Sequence, residues 1–142
     1  MTEIQTGDVT RYCKPSTLEN EIPKSSAFER RRERDEKDLS VYWLDFFGKT
    51  TELENIREVK AYMEQNGFRL KYNGSFAIIN IQKSKEYILE KISSEIFYRE
   101  KNLPHCGIFH EADDLLIAKL LSECVQNNYL VRNIVDSTTS PP

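Results

Sequence analysis

Apolar residues recur at two spacings along the chain, one helical and one extended, and their order outlines the fold. Thr51-Glu52-Leu53-Glu54 reads as a capping box, with Thr51 accepting from the backbone and Glu54 reaching back. Leu53, Ile56, Val59 and Met63 then form a helical stripe, with the Lys60 stem lying along it. Asn66-Gly67 ends that helix, since glycine takes a left-handed cap without a steric penalty. Phe68 to Tyr72 and Ser75 to Ile81 flank Asn73-Gly74, which predicts a two-residue hairpin. That turn would pair Tyr72 with Ser75, Leu70 with Ala77 and Phe68 with Ile79. The second strand is largely apolar on both faces, so it is expected inside a sheet rather than at its edge.

The flanking pattern is extended upstream and helical downstream. Leu39-Ser40-Val41-Tyr42-Trp43 alternates and is rich in strand formers, with Phe46-Phe47-Gly48 closing it. Ala27 to Arg30 reads as a short strand, followed by a charged loop through Asp38 that has no apolar residue to anchor a helix. Ser84 is expected to cap a short helix through Ile92, and Glu95 to Arg99 to form another strand. Glu111 to Gln126 predicts a helix with an acidic first turn and a buried stripe of Leu116, Leu120, Leu121, Cys124 and Val125. The expected architecture is α+β: a mostly antiparallel sheet of four or five strands with two or three helices packed on one face. Residues 1–135 would form one domain and Asp136 to Pro142 a flexible tail.

Composition narrows the class. The chain has 142 residues, long enough for a single domain to bury a core without disulfides or metal. A net charge of -3 argues against coating nucleic acid or a membrane surface. Its three cysteines are widely spaced and leave one unpaired in any disulfide scheme, as expected in a reducing cytoplasm. No apolar run approaches the ~20 residues of a membrane span, and the first residues have no signal-peptide character. Arg30 to Asp38 interleaves its arginines with carboxylates, so little positive field is left for nucleic acid.

Candidate chemistry concentrates in two places. Both histidines fall in Leu103 to Asp114, with His105, Cys106, His110 and Glu111 just ahead of the last helix. Histidine, cysteine and carboxylate are the groups that transfer protons, attack and ligate near pH 7. A metal site is not expected, because zinc loops show a second ligand pair that is missing here. Cys106 would need a base in reach, and an adjacent histidine seldom faces it. A turn cysteine and two loop histidines account for the same residues without chemistry. The second place is Thr10 to Thr17, where Arg11, Lys14 and Ser16 could hold a phosphate or carboxylate. Its bland alternative is an arm packed through Tyr12 and Cys13. No glycine-rich phosphate loop, Gly-x-Ser-x-Gly elbow or His-Glu-x-x-His helix is present, so no cofactor is expected.

The order Arg11-Tyr12-Cys13-x-Pro15-Ser16, Ala27-Phe28, Leu39-Ser40-Val41-x-Trp43-Leu44, Pro104-His105-x-Gly107-Ile108 and Asp113-Asp114 with Ile117-Ala118 resembles a group of small uncharacterised bacterial proteins. The resemblance runs from Arg11 to Val125. It implies a bacterial single-domain protein and supplies no catalytic residues. Two functions fit the chain. The first is a non-catalytic cytoplasmic module that docks another protein through Tyr42, Trp43, Phe46 and Phe47, extended by Phe76 and Ile78. Self-association is an open alternative there, and neither nucleic acid nor membrane is expected. The second is a small enzyme or nucleotide-binding protein with its site between the Arg11-to-Ser16 arm and the Pro104-to-Glu111 loop. Arg11, Lys14 and Ser16 would hold an anion there, and His105 or His110 would act as acid or base, tuned by Glu111 or the Asp113-Asp114 pair. Cys106 would be an optional nucleophile. That reading requires segments about ninety residues apart in sequence to converge on one pocket.

Overall fold

Ser75–Asn80, apolar on both of its faces, does lie inside a sheet, with a strand paired along each edge. The computed structural model describes residues 2–31 and 36–135. In chain order the elements are β1 (Asp8–Cys13), β2 (Leu18–Glu19), β3 (Ile22–Pro23), β4 (Leu39–Trp43), α1 (Glu52–Gln65), β5 (Ser75–Asn80), α2 (Ile81–Ile92), β6 (Phe97–Asn102), β7 (His105–Phe109), α3 (Asp114–Glu123) and β8 (Asn127–Leu130). β2 and β3 make a small ladder of their own. The rest form one sheet in the order β6-β7-β4-β1-β5-β8, antiparallel at every seam. This is the α+β class expected, with six strands in the main sheet rather than four or five.

Side-chain alternation assigns each residue of the sheet to a layer. Phe76 and Ile78 join a core with Ile56, Val59 and Met63 of α1. Ala77 and Ile79 join a second core with Ile88 of α2 and Ile117 and Leu121 of α3. Helices therefore cover both faces of the sheet, not one. A strand with large apolar side chains on each side needs a cover on each side.

The Asn73-Gly74 hairpin does not form. Phe68 to Tyr72 makes no strand, and Phe68 and Tyr72 are 51% and 73% exposed. Its place beside β5 is taken by β1, in register from Asp8↔Asn80 to Cys13↔Ser75. β1 brings Val9 and Cys13 to one core and Tyr12 to the other, more than Arg69 and Lys71 can offer. Gly74 serves a different purpose. A Cβ there would lie 2.8 Å from the Cys13 carbonyl oxygen and 2.9 Å from the Tyr12 hydroxyl, so only glycine lets the loop pass so close.

Helix ends follow local rules more closely. Thr51 Oγ accepts from the Glu54 amide at 3.2 Å and donates to the Glu54 carboxylate at 2.9 Å, fixing the start of α1. Asn80, not Ser84, caps α2, accepting from the Lys83 amide at 2.9 Å. Ser84 lies one turn inside the helix, where its buried hydroxyl meets the Ile81 carbonyl and the Tyr98 hydroxyl. Asp113 caps α3, whose buried face is Ile117, Ala118, Leu120 and Leu121; Leu116 lies off that face, 39% exposed. Ala27 to Arg30 is not a strand. Ser25–Phe28 is a 3-10 turn that buries Ala27 and Phe28. Part of the charged loop, residues 32–35, and the tail from Asp136 to Pro142 lie outside the described residues. Among the described residues no helix is long and apolar enough to cross a membrane.

Candidate functional site

The main sheet has one seam that opens. β1 and β4 pair only at Val9↔Trp43 and Thr10↔Tyr42. Beyond that point β1 continues along β5 to Cys13, and β4 continues along β7 back to Leu39. Arg11 bridges the gap with its side chain instead of its backbone. Its Nε donates to the Ala27 carbonyl at 2.6 Å, and its Nη1 donates to the Ser40 carbonyl at 2.7 Å. Ser40 would otherwise offer that oxygen to a neighbouring strand.

A cleft of about 680 Å³ lies along this opening. Its walls combine the arm that follows β1 (Lys14, Ser16, Thr17), the turn before β4 (Ser26, Glu29), and Ser40, Tyr42 and His105 from the sheet. Arg11, Lys14, Ser16 and His105 thus line one concavity, and His105 is the residue of the Pro104-to-Glu111 loop that reaches it. Ser40, Ser26, Phe68 and Leu115, which no local motif marks, line it too. Their presence depends on strand order and on the exposed side of α3.

The charges of the cleft are unevenly matched. Arg30 forms a salt bridge with Asp114 at 2.9 Å, its side chain 7% exposed. Arg11 has no such partner: among the described residues no carboxylate lies within ion-pair distance of Arg11 or of Lys14. Burial lowers the Arg11 pKa from its usual value, against a smaller opposing pull from Cys13 and Glu36. A guanidinium starts too high for that to remove its charge. Arg11 Nη2 makes no hydrogen bond to the protein among the described residues.

His105 is held in a defined posture. Its Nε2 lies 3.1 Å from the Ser40 hydroxyl, and its ring stacks on Tyr42 at 5.3 Å with planes 29° apart. Burial lowers its pKa, assisted by the Lys101 cation and opposed by Asp38. The imidazole is therefore neutral near pH 7 and can exchange a proton or a hydrogen bond with a ligand. Asp38 and Lys101, paired at 3.0 Å, flank it, and Asp38 fits only because the neighbouring strand carries Gly107.

The other candidates disperse. Cys106 alternates away from the cleft into the core, donates to the Pro104 carbonyl, and has its thiol pushed up by burial to about 12. That is the reverse of an activated nucleophile. Cys13 lines the cleft, but burial raises its thiol to about 11. His110 is buried beside Asp114 at 3.4 Å, and together with Glu111 it lines a separate depression. Neither reaches the cleft. The expected docking patch breaks up as well. Phe76 and Ile78 are fully buried under α1, Tyr42 is 6% exposed, and Trp43 packs inward with its indole N–H on the Thr6 carbonyl. Phe46, edge-on to a half-buried Phe47, is what is left of it at the surface. Among the described residues no three histidine, cysteine, aspartate or glutamate side chains converge as metal ligands. Comparison with protein-family models, curated proteins and solved structures returned no match, leaving the geometry of the cleft to carry the function.

Proposed function

We propose that the chain binds a small phosphate- or carboxylate-bearing molecule in the cleft between β1 and β4, and that it does so in a reducing cytoplasm. One observation carries the reading: Arg11 is tied by two backbone carbonyls at an open seam and, among the described residues, has no carboxylate within ion-pair distance. Removing a cation from water without an anion is costly, and proteins ordinarily solve this with a carboxylate, as Arg30 and Asp114 do in the same cleft. A ligand anion on Arg11 Nη2 supplies the missing charge, with Lys14 and the Ser16 hydroxyl beside it. Three free cysteines suit a reducing compartment. A protein-docking role has less support, because half of the surface expected for it is buried.

The test is thermal stability and calorimetry with inorganic phosphate, sulfate and small carboxylates, against sodium chloride at matched ionic strength. Saturable stabilisation that disappears in Arg11→Gln is the expected result. Anions that act no differently from chloride would end the proposal.

A further inference from the structure

The cleft is larger and more aromatic than an anion alone requires. Resting on the anion-binding reading above, we infer that the ligand is a nucleoside monophosphate, its phosphate on Arg11 and its base against the aromatic wall to which His105 and Phe68 each contribute.

Size comes first. A cavity of about 680 Å³ is in the range that encloses a whole cofactor-sized molecule, and a free phosphate would leave most of it empty. Charge narrows the anion. Arg30 and Asp114 neutralise one another, so among the described residues the excess comes from Arg11, Lys14 and Arg31 set against Glu29. That surplus suits a phosphate monoester, which carries about 1.5 to 2 negative charges at pH 7, better than a triphosphate.

The remaining walls recognise a flat, apolar body. The His105 ring has Tyr42 on one face, is fixed in plane by Ser40, and lines the cleft without another ring against it among the described residues. A neutral imidazole held in this way is a prepared stacking surface rather than a competing cation. Phe68, at the end of the α1 connection, is 51% exposed and lines the same cleft, although it belongs to neither core. An aromatic ring left in water at the rim of a charged cleft is what base stacking uses. Ser26 Oγ lies in the same wall and makes no hydrogen bond among the described residues, so it can meet a ribose hydroxyl or a base edge.

Calorimetry with the four common ribonucleoside monophosphates tests this, alongside the matching nucleosides, ribose 5-phosphate and inorganic phosphate at constant ionic strength. At least one nucleotide should bind ten-fold or more tighter than ribose 5-phosphate, and Phe68→Ala should reduce that advantage while leaving ribose 5-phosphate affinity within two-fold. Phe68 is exposed enough that the variant should keep the fold, which its unliganded melting temperature verifies. Ribose 5-phosphate or phosphate binding as tightly as every nucleotide would overturn the base assignment and leave the anion site standing. A nucleoside binding as tightly as its nucleotide would overturn both, as would no binding by any of them.

Discussion

β1 has two seams, and they differ in kind. Along β5 it is zipped from end to end, with Thr10 adding a side-chain bond to the Ala77 carbonyl at 2.9 Å. Along β4 it holds for two residue pairs and then parts. The closed seam is lined by residues that both cores absorb: Val9, Ala77, Ile78, Ile79. The open seam begins where the chain places Arg11, whose charged head no core can absorb. It takes for itself the Ser40 carbonyl on the edge of β4 and the Ala27 carbonyl of the turn before it. In this sheet the apolar seam is closed by both cores, and the polar one leaves the cleft in which an anion is proposed to bind.

That division can be broken most severely at the closed seam. Ile78 is fully buried between β5 and α1, so Ile78→Ala should cost about 2–5 kcal/mol in denaturant unfolding. A cost under about 1 kcal/mol would mean that the seam does not carry the load assigned to it. At the open seam Arg11→Met removes the donors to Ala27 and Ser40. Losing them should cost about 1–3 kcal/mol and abolish anion-dependent stabilisation together. A variant as stable as the parent, still stabilised by phosphate, would place the anion elsewhere.

His105 sharpens the comparison through pH. Because burial lowers its pKa in the folded chain, the unfolded chain binds that proton first as pH falls. Its contribution to stability is complete above the unfolded value of about 6.5 and is lost as pH drops from there through the lower folded value. Between about pH 7.5 and 5.5, the parent should therefore lose stability relative to His105→Asn, and parallel curves would remove His105 from the account. The smallest effect is expected at Phe46, which is 47% exposed and outside both seams. Phe46→Ser should change stability by no more than about 0.5 kcal/mol and leave anion binding intact.

Several local signals hold because they depend on neighbours in sequence, although the cap at Ser84 and the strand at Ala27 to Arg30 do not form. Thr51 as a cap, Leu39–Trp43 as a strand and the interior position of Ser75–Asn80 need only propensity, spacing and polarity. Asn73-Gly74 misled for the opposite reason. A hairpin signal states that two strands can pair, not that a third will not outcompete one of them, and β1 did so through contacts with both cores. Phe76 and Ile78 follow the same rule: whether their face of the sheet is covered depends on where α1 packs, which the spacing of residues along β5 does not state.

The candidate site divides in the same way. That Arg11, Lys14 and Ser16 form an anion-competent arm, and that His105 and His110 are the only imidazoles, belongs to the sequence. Which histidine faces the arm was decided by the sheet. The β4–β7 register sets Tyr42 against His105 and Ser40 against Gly107, turning His105 to the cleft and Cys106 into the core. His110 lies beyond the end of β7 and is captured by Asp114. Residue types and local spacing limit what chemistry is available, because they act over a few bonds. Strand order and register determine which of those groups share a cavity, because contacts between residues tens of positions apart are set by the global competition for buried apolar surface.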